Sequence, residues 1–121
     1  MKRKDKNKLD KLASEKCKDN AGWKCEVCGK TKDQVQLHCH HVIGRRHFSL
    51  RWHLDNLTCL CASHHTLGLR SAHEHPIWFR KEMIGIRGQD WLDEIEKRSQ
   101  TIWKGTFQQV KDYLDDIKGD Y

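Results

Sequence analysis

Between Asp5 and Ala21 the apolar positions Leu9, Leu12, Ala13 and Cys17 recur every three to four residues, and Gly22 stands where such a run would stop. That spacing predicts one amphipathic helix. From Gln34 to Ile43 the period shortens to two, imperfectly, with Val35, Leu37, Cys39 and His41 on one side, which predicts a short strand. Leu57 to Leu60 reads as the returning strand, Ala62 onward as a helix, and Gly44 to Asp55 as the loop between. The last third is helical in pattern. Pro76 suits the first turn of a helix running to about Ile84, which Gly85 and Gly88 interrupt. Asp90 is placed to cap a second segment with Trp91, Leu92 and Ile95 inward. Thr106 to Gln109 has the form of a capping box, with Phe107, Val110, Leu114 and Ile117 following at helical steps and Gly119 as the stop.

Composition changes the picture because these faces are thin. Only 36% of the 121 residues are hydrophobic, whereas roughly 45–50% is usual with glycine included. Six cysteines and nine histidines suggest what compensates, since small domains with thin cores are commonly held by disulfides or a metal. The longest apolar run is Cys59 to Ala62, far short of the roughly 20 residues of a membrane span. The charged start lacks the pattern of a secretory signal, so a cytoplasmic location is expected, where thiols stay reduced and close cysteine pairs read as metal ligands. The net charge is +6, with residues 1–18 carrying eight basic and three acidic side chains and residues 82–121 six and nine. A basic front and an acidic tail suggest a polyanion met by one face.

All nine histidines lie between His38 and His75, within or beside the strongest motif. Cys25-x-x-Cys28 and Cys61-x-x-His64 are two knuckles able to give four ligands to one tetrahedral zinc ion, a closed and therefore structural site. A single C-x-x-C also occurs in redox motifs; two matched knuckles favour zinc. The 32 residues between them exceed the roughly 15–20 of simple two-knuckle modules, so something is inserted.

That insert contains His40-His41, an arginine-rich loop and Asp55-Asn56, and the second knuckle runs directly into His65. With these residues the chain resembles the HNH endonucleases, in the branch whose ββα-metal core (the His-Me finger) is pinned by zinc knuckles. The matching stretch runs through Cys25-Glu26-Val27-Cys28-Gly29, Leu37 to Ile43, Leu54-Asp55-Asn56-Leu57 and Leu60 to His65. The wider run, with Leu50 to Asn56 and Ser71 to Pro76, is similar to small phage and prophage HNH proteins of the recombination-associated type. Many relatives have cysteine where this chain has His64. The resemblance implies an α+β fold: a basic N-terminal helix over residues 1–22, a zinc-pinned core over 23–75 and a helical extension of the same domain over 76–121.

The resemblance also implies metal-dependent hydrolysis of DNA phosphodiester bonds, by nicking, leaving a 5′ phosphate and a 3′ hydroxyl. By position His41 is the general base, His40 and His65 are ligands of a catalytic divalent ion, and Asn56 orients the base or braces the hairpin loop. Strand alternation puts His38 and His40 on one face, so either suits the ion, and the family position selects His40. His73 lies eight residues past His65, about two helical turns, and becomes a third ligand if the helix continues past Gly68. His75 is a further alternative, and both otherwise belong to a helix connection. A histidine-rich site leans from magnesium toward manganese or another transition ion. Arg45, Arg46 and Arg51 are candidate phosphate contacts, aided by Lys2, Arg3, Lys4, Lys6 and Lys8. His47 and His53 face solvent or phosphate, while Cys17, Cys39, Cys59, Trp91 and Trp103 read as packing residues. The expected partner is DNA, not a membrane, with phage packaging or recombination proteins as further partners and a monomer or weak dimer as the state. The alternative is a zinc-stabilised DNA-binding or phage assembly module without cleavage.

Overall fold

In a computed structural model, which describes residues 1–116 and 120–121, helix α1 spans Arg3–Asn20 and buries Leu9, Ala13 and Cys17, one residue per turn along a single stripe. It ends where Gly22 takes φ +65° and Trp23 follows at φ +56°. Trp23 is held in that left-handed conformation by its own N–H donating to the Lys18 carbonyl and its indole donating to Asp19. The chain then turns through the first cysteine knuckle, where Gly29 N–H donates to Cys25 O at 2.8 Å with φ +76°. Only glycine adopts such a φ without strain.

Strands β1 (Leu37–His41) and β2 (Leu57–Cys61) form one antiparallel hairpin, in the register Leu37 opposite Cys61, Cys39 opposite Cys59 and His41 opposite Leu57. Every residue of β2 is buried. The long hairpin connection is more ordered than a plain loop: helix α2 occupies Phe48–Arg51 and a 3-10 turn Leu54–Asn56. After β2 the expected helix is a single wide turn, Ser63–Leu67, closed by Gly68 N–H donating to Ser63 O at 2.8 Å. A Cβ at Gly68 would lie 2.7 Å from that oxygen, so the turn closes against glycine.

Helices α3 (Pro76–Arg87), α4 (Gln89–Ser99) and α5 (Phe107–Asp116) complete the described chain. Helix α3 runs through Gly85 and breaks only at Gly88, whose φ is +92°. An exposed interior glycine costs about 1 kcal/mol and does not end a helix by itself. Gly88, not Asp90, precedes α4, and Asp90 sits in its first turn. The capping box before α5 forms as expected: Thr106 N–H donates to Gln109 Oε1 at 2.8 Å and Gln109 N–H to Thr106 Oγ1 at 3.2 Å. Ile117 and Gly119, expected to continue and stop this helix, lie outside the described residues. Among the described residues no helix is long and apolar enough to cross a membrane.

The result is a small α+β arrangement with both the hairpin and α5 packed against α1. The core joins Leu9, Ala13 and Cys17 to Leu37, Leu57, Cys59 and Leu60 of the hairpin and to Val110, Tyr113 and Leu114 of α5. Trp103 and Trp91 pack against this core, as read from the sequence, and the buried Trp52 of the hairpin connection meets Trp103 edge to face. Arg87 bolts α3 to the knuckle: it donates to Glu26 at 2.7 Å and to the carbonyls of Asp55 and Leu57, while Glu26 accepts from Cys59 N–H.

Candidate functional site

The two knuckles meet. Cys25, Cys28, Cys61 and His64 bring one ligand atom each within 4.8 Å of all the others. Cys28 Sγ lies 3.9 Å from Cys61 Sγ, and His64 Nδ1 lies 3.3 Å from Cys61 Sγ and 3.8 Å from Cys25 Sγ. Tetrahedral zinc, with bonds of about 2.3 Å to sulfur and about 2.0 Å to nitrogen, needs sulfur–sulfur edges near ~3.8 Å and sulfur–nitrogen edges near ~3.5 Å. The four side chains fit such an ion, and could bind a structural zinc. Although burial pushes the Cys25 thiol up, N–H groups of Cys28, Cys61 and Val27 and the His64 ring bring it down to about 7. His64 is also stacked on Trp78, at 5.8 Å between ring centres.

A second cluster includes His40 of β1. His40, His65 and His73 each present one nitrogen, all within 4.8 Å of one another, with His65 Nε2 at 3.2 Å from His73 Nε2. Three imidazoles so spaced fit one divalent transition ion, whose bonds to nitrogen are about 2.0–2.1 Å for zinc. Burial, together with the His65, His73 and His41 rings, pushes His40 down to about 3, and burial with His73 and His38 takes His65 to about 4. Both rings are therefore neutral, as ligands must be. His73 reaches the cluster by a different route from the expected continuous helix. The chain leaves the turn at Gly68 and folds back, with Ala72 N–H donating to His64 O at 2.7 Å and His73 N–H to His65 O at 3.1 Å.

His41, the next residue along β1, lies outside this set of three but beside it in a shared groove. Its Nε2–H donates to the Arg51 carbonyl at 2.9 Å, which leaves Nδ1 as the bare nitrogen. Burial holds its pKa below the ordinary histidine range, against the Arg51 carbonyl and Asp10, which raise it. Cys39, His40, His41, Gly44, Arg45, His65 and His73 line one open groove of about 380 Å³.

Asn56 is fully buried and does not reach the groove. Its Oδ1 accepts from Ile43 N–H at 2.8 Å and its Nδ2 donates to the carbonyls of Ile43 and Leu50, so it braces the hairpin connection. Arg51 is not free for phosphate: its guanidinium forks onto Asp10. Despite burial, the bonds from Arg51 and Trp52 hold the Asp10 carboxyl below the usual carboxylate range. Arg45 and Arg46 are exposed, Arg45 lying 3.6 Å from Asp10. His53 does not face solvent. It is buried, accepting from Asp55 N–H and facing Asp120 at 3.0 Å. His75 does not join the cluster; its Nδ1 accepts from Trp78 N–H and caps α3.

Asp10 and the contact between His38 and His65 escaped the sequence reading. Asp10 sits on the polar side of an ordinary amphipathic helix, and nothing in its spacing marks it. Comparison of the chain with protein-family models, curated proteins and solved structures finds no match.

Proposed function

We propose that the chain is a metal-dependent endonuclease of the HNH type, nicking DNA by hydrolysis of phosphodiester bonds. The observation that carries this reading is the meeting of His40, His65 and His73 in the groove that also holds His41 and Arg45. The hairpin β1–β2 followed by the turn Ser63–Leu67 is consistent with a ββα-metal core. The cysteine-rich set supplies four ligands and is closed, whereas three imidazoles leave positions open for phosphate and water.

A divalent ion held by the three histidines supplies charge relief to the phosphate and to the departing 3′ oxygen. Manganese, cobalt or zinc suits such a set better than magnesium. His41 is the general base. Its Nδ1 takes a proton from the water whose oxygen forms the new bond to phosphorus, the bond to the 3′ oxygen breaks, that oxygen takes a proton from solvent, and the strand is left with a 5′ phosphate and a 3′ hydroxyl. Asn56 acts at one remove, by fixing the connection whose Arg51 carbonyl holds His41. Arg45, Arg46 and the exposed Lys2, Arg3, Lys4 and Lys8 of the N-terminal region supply salt-sensitive phosphate affinity.

Supercoiled plasmid incubated with zinc-loaded protein and magnesium, manganese or cobalt tests the reading. Conversion to the open-circular form is expected, reduced about 10²–10⁴-fold in His41→Ala. Binding without nicking under every ion points instead to a DNA-binding module. Full activity in His41→Ala removes the base assignment.

A further inference from the structure

His38 and His40 are two residues apart on β1 and share a face, yet only His40 belongs to the three-histidine cluster. His38 meets the cluster indirectly. Its Nδ1 lies 2.9 Å from Nδ1 of His65, with the two rings edge to face at 76° and 5.0 Å between centres. The two nitrogens of His65 are thus divided, Nδ1 toward His38 and Nε2 toward His73.

A neutral imidazole carries one proton on one of two nitrogens. For Nε2 of His65 to offer a lone pair to an ion beside His73, that proton must sit on Nδ1. A half-buried N–H there needs an acceptor, and among the described residues the one within hydrogen-bond distance is Nδ1 of His38. His38 must then carry its own proton on Nε2. We propose that His38 is a positioning residue, which accepts a hydrogen bond from His65 Nδ1–H and so fixes the tautomer and ring orientation with which His65 faces a divalent cation. The inference rests on the reading of His40, His65 and His73 as a cation site.

Metal-bound histidines commonly donate their second N–H to a carboxylate or a main-chain carbonyl, and loss of that partner weakens metal binding about 10–100-fold. An imidazole acceptor differs in charge. With three neutral ligands and a neutral orienting ring, the cluster among the described residues contains no carboxylate to offset the charge of the ion, which favours an anionic ligand such as a phosphodiester in the open positions.

Cobalt(II) titration of zinc-loaded protein, followed by the visible d–d bands and by calorimetry, tests the assignment without reference to cleavage. The expected result is a second ion bound by wild type, about 10–100-fold weaker binding by His38→Ala, and recovery to within a few-fold by His38→Asn, whose Oδ1 replaces the Nδ1 acceptor. Long-range ¹H–¹⁵N spectra of the loaded protein should show the His65 proton on Nδ1. Wild-type affinity in His38→Ala overturns the proposal while leaving the cation site intact. So does a change of cobalt coordination number in both variants with no recovery in His38→Asn, because it makes His38 a direct ligand. Failure of wild type to take up a second ion removes the cation site and the proposal with it. Unchanged zinc content and melting temperature in both variants show that the hairpin is preserved.

Discussion

Asp10 of α1 and Arg51 of α2 form a two-pronged ion pair, Nε to Oδ1 at 2.9 Å and Nη2 to Oδ2 at 2.7 Å. The same carboxylate accepts from the buried Trp52 indole at 2.8 Å. Because the Arg51 carbonyl accepts from His41, the N-terminal helix reaches the candidate base through a single residue. Asp10→Ala leaves a part-buried guanidinium and an indole N–H without their acceptor. The expected loss is about 2–3 kcal/mol, or a fall in Tm of roughly 10 °C. Asp10→Asn, which keeps an acceptor oxygen but not the charge, should lose about half as much. Thermal unfolding of zinc-loaded protein measures both, and a Tm unchanged in Asp10→Ala would assign the pair no stabilising role.

Asn56 makes three hydrogen bonds from a fully buried position, two as donor and one as acceptor. Its replacement by alanine should cost about 3 kcal/mol, since Ile43 N–H and the Ile43 carbonyl lose their partners away from water and the Leu50 carbonyl, though it keeps His53 N–H, loses the amide. Asn56→Asp should be worse, because a carboxylate oxygen then faces the carbonyls of Ile43 and Leu50 where an amide donated. Urea unfolding of the pair of variants orders them; an aspartate variant as stable as wild type contradicts the donor assignment of Nδ2.

What the sequence disclosed was local and periodic. The knuckle ligands are marked by their spacing, the hairpin by alternation around Cys39, and the start of α5 by the Thr106–Gln109 box, because each depends on residues a few positions apart. What it concealed depends on segments far apart in the chain. Asp10 and Arg51 are 41 residues apart and look like two ordinary solvated charges until α1 is laid against the hairpin connection. His73 was found for an inexact reason: a spacing of two helical turns placed it near His65, but the backbone arrives there by folding back after Gly68. Gly85 misled in the opposite sense, as the apolar stripe through Phe79 and Met83 holds α3 together across it.

Removal of zinc should unfold the protein. The hydrophobic fraction of 36% leaves little core to spare. Structural zinc sites contribute about 10–16 kcal/mol in small modules, as much as the whole stability of an ordinary domain. Cys25→Ser, or chelator treatment of wild type, should abolish the cooperative thermal transition seen by circular dichroism and reduce bound zinc measured by mass spectrometry. Cys17→Ser, at a cysteine outside both clusters, should leave zinc content unchanged. A cooperative melt at the original temperature after chelation contradicts a structural role for the site.

Stability should decline as the solution is acidified below about pH 6.5, the ordinary histidine value, and His53 should account for part of the decline. Its Nδ1 accepts from Asp55 N–H at 3.3 Å, so the ring proton sits on Nε2 and donates to Asp120 at 3.0 Å. Burial and the nearby Arg98 charge push its pKa down, outweighing Asp55 and Asp120, which raise it. Protonation of Nδ1 would also forfeit the Asp55 bond. With the folded-state pKa below the unfolded value, the unfolded chain binds the proton first. The contribution is therefore intact above pH 6.5 and is lost as pH falls toward the folded-state value. His40 and His65, lowered to about 3 and about 4, act in the same direction and remain in any His53 variant. Urea unfolding at pH 7.5, 6.5 and 5.5 should thus show a shallower decline for His53→Gln than for wild type. Parallel curves would mean that His53 takes up its proton equally in both states.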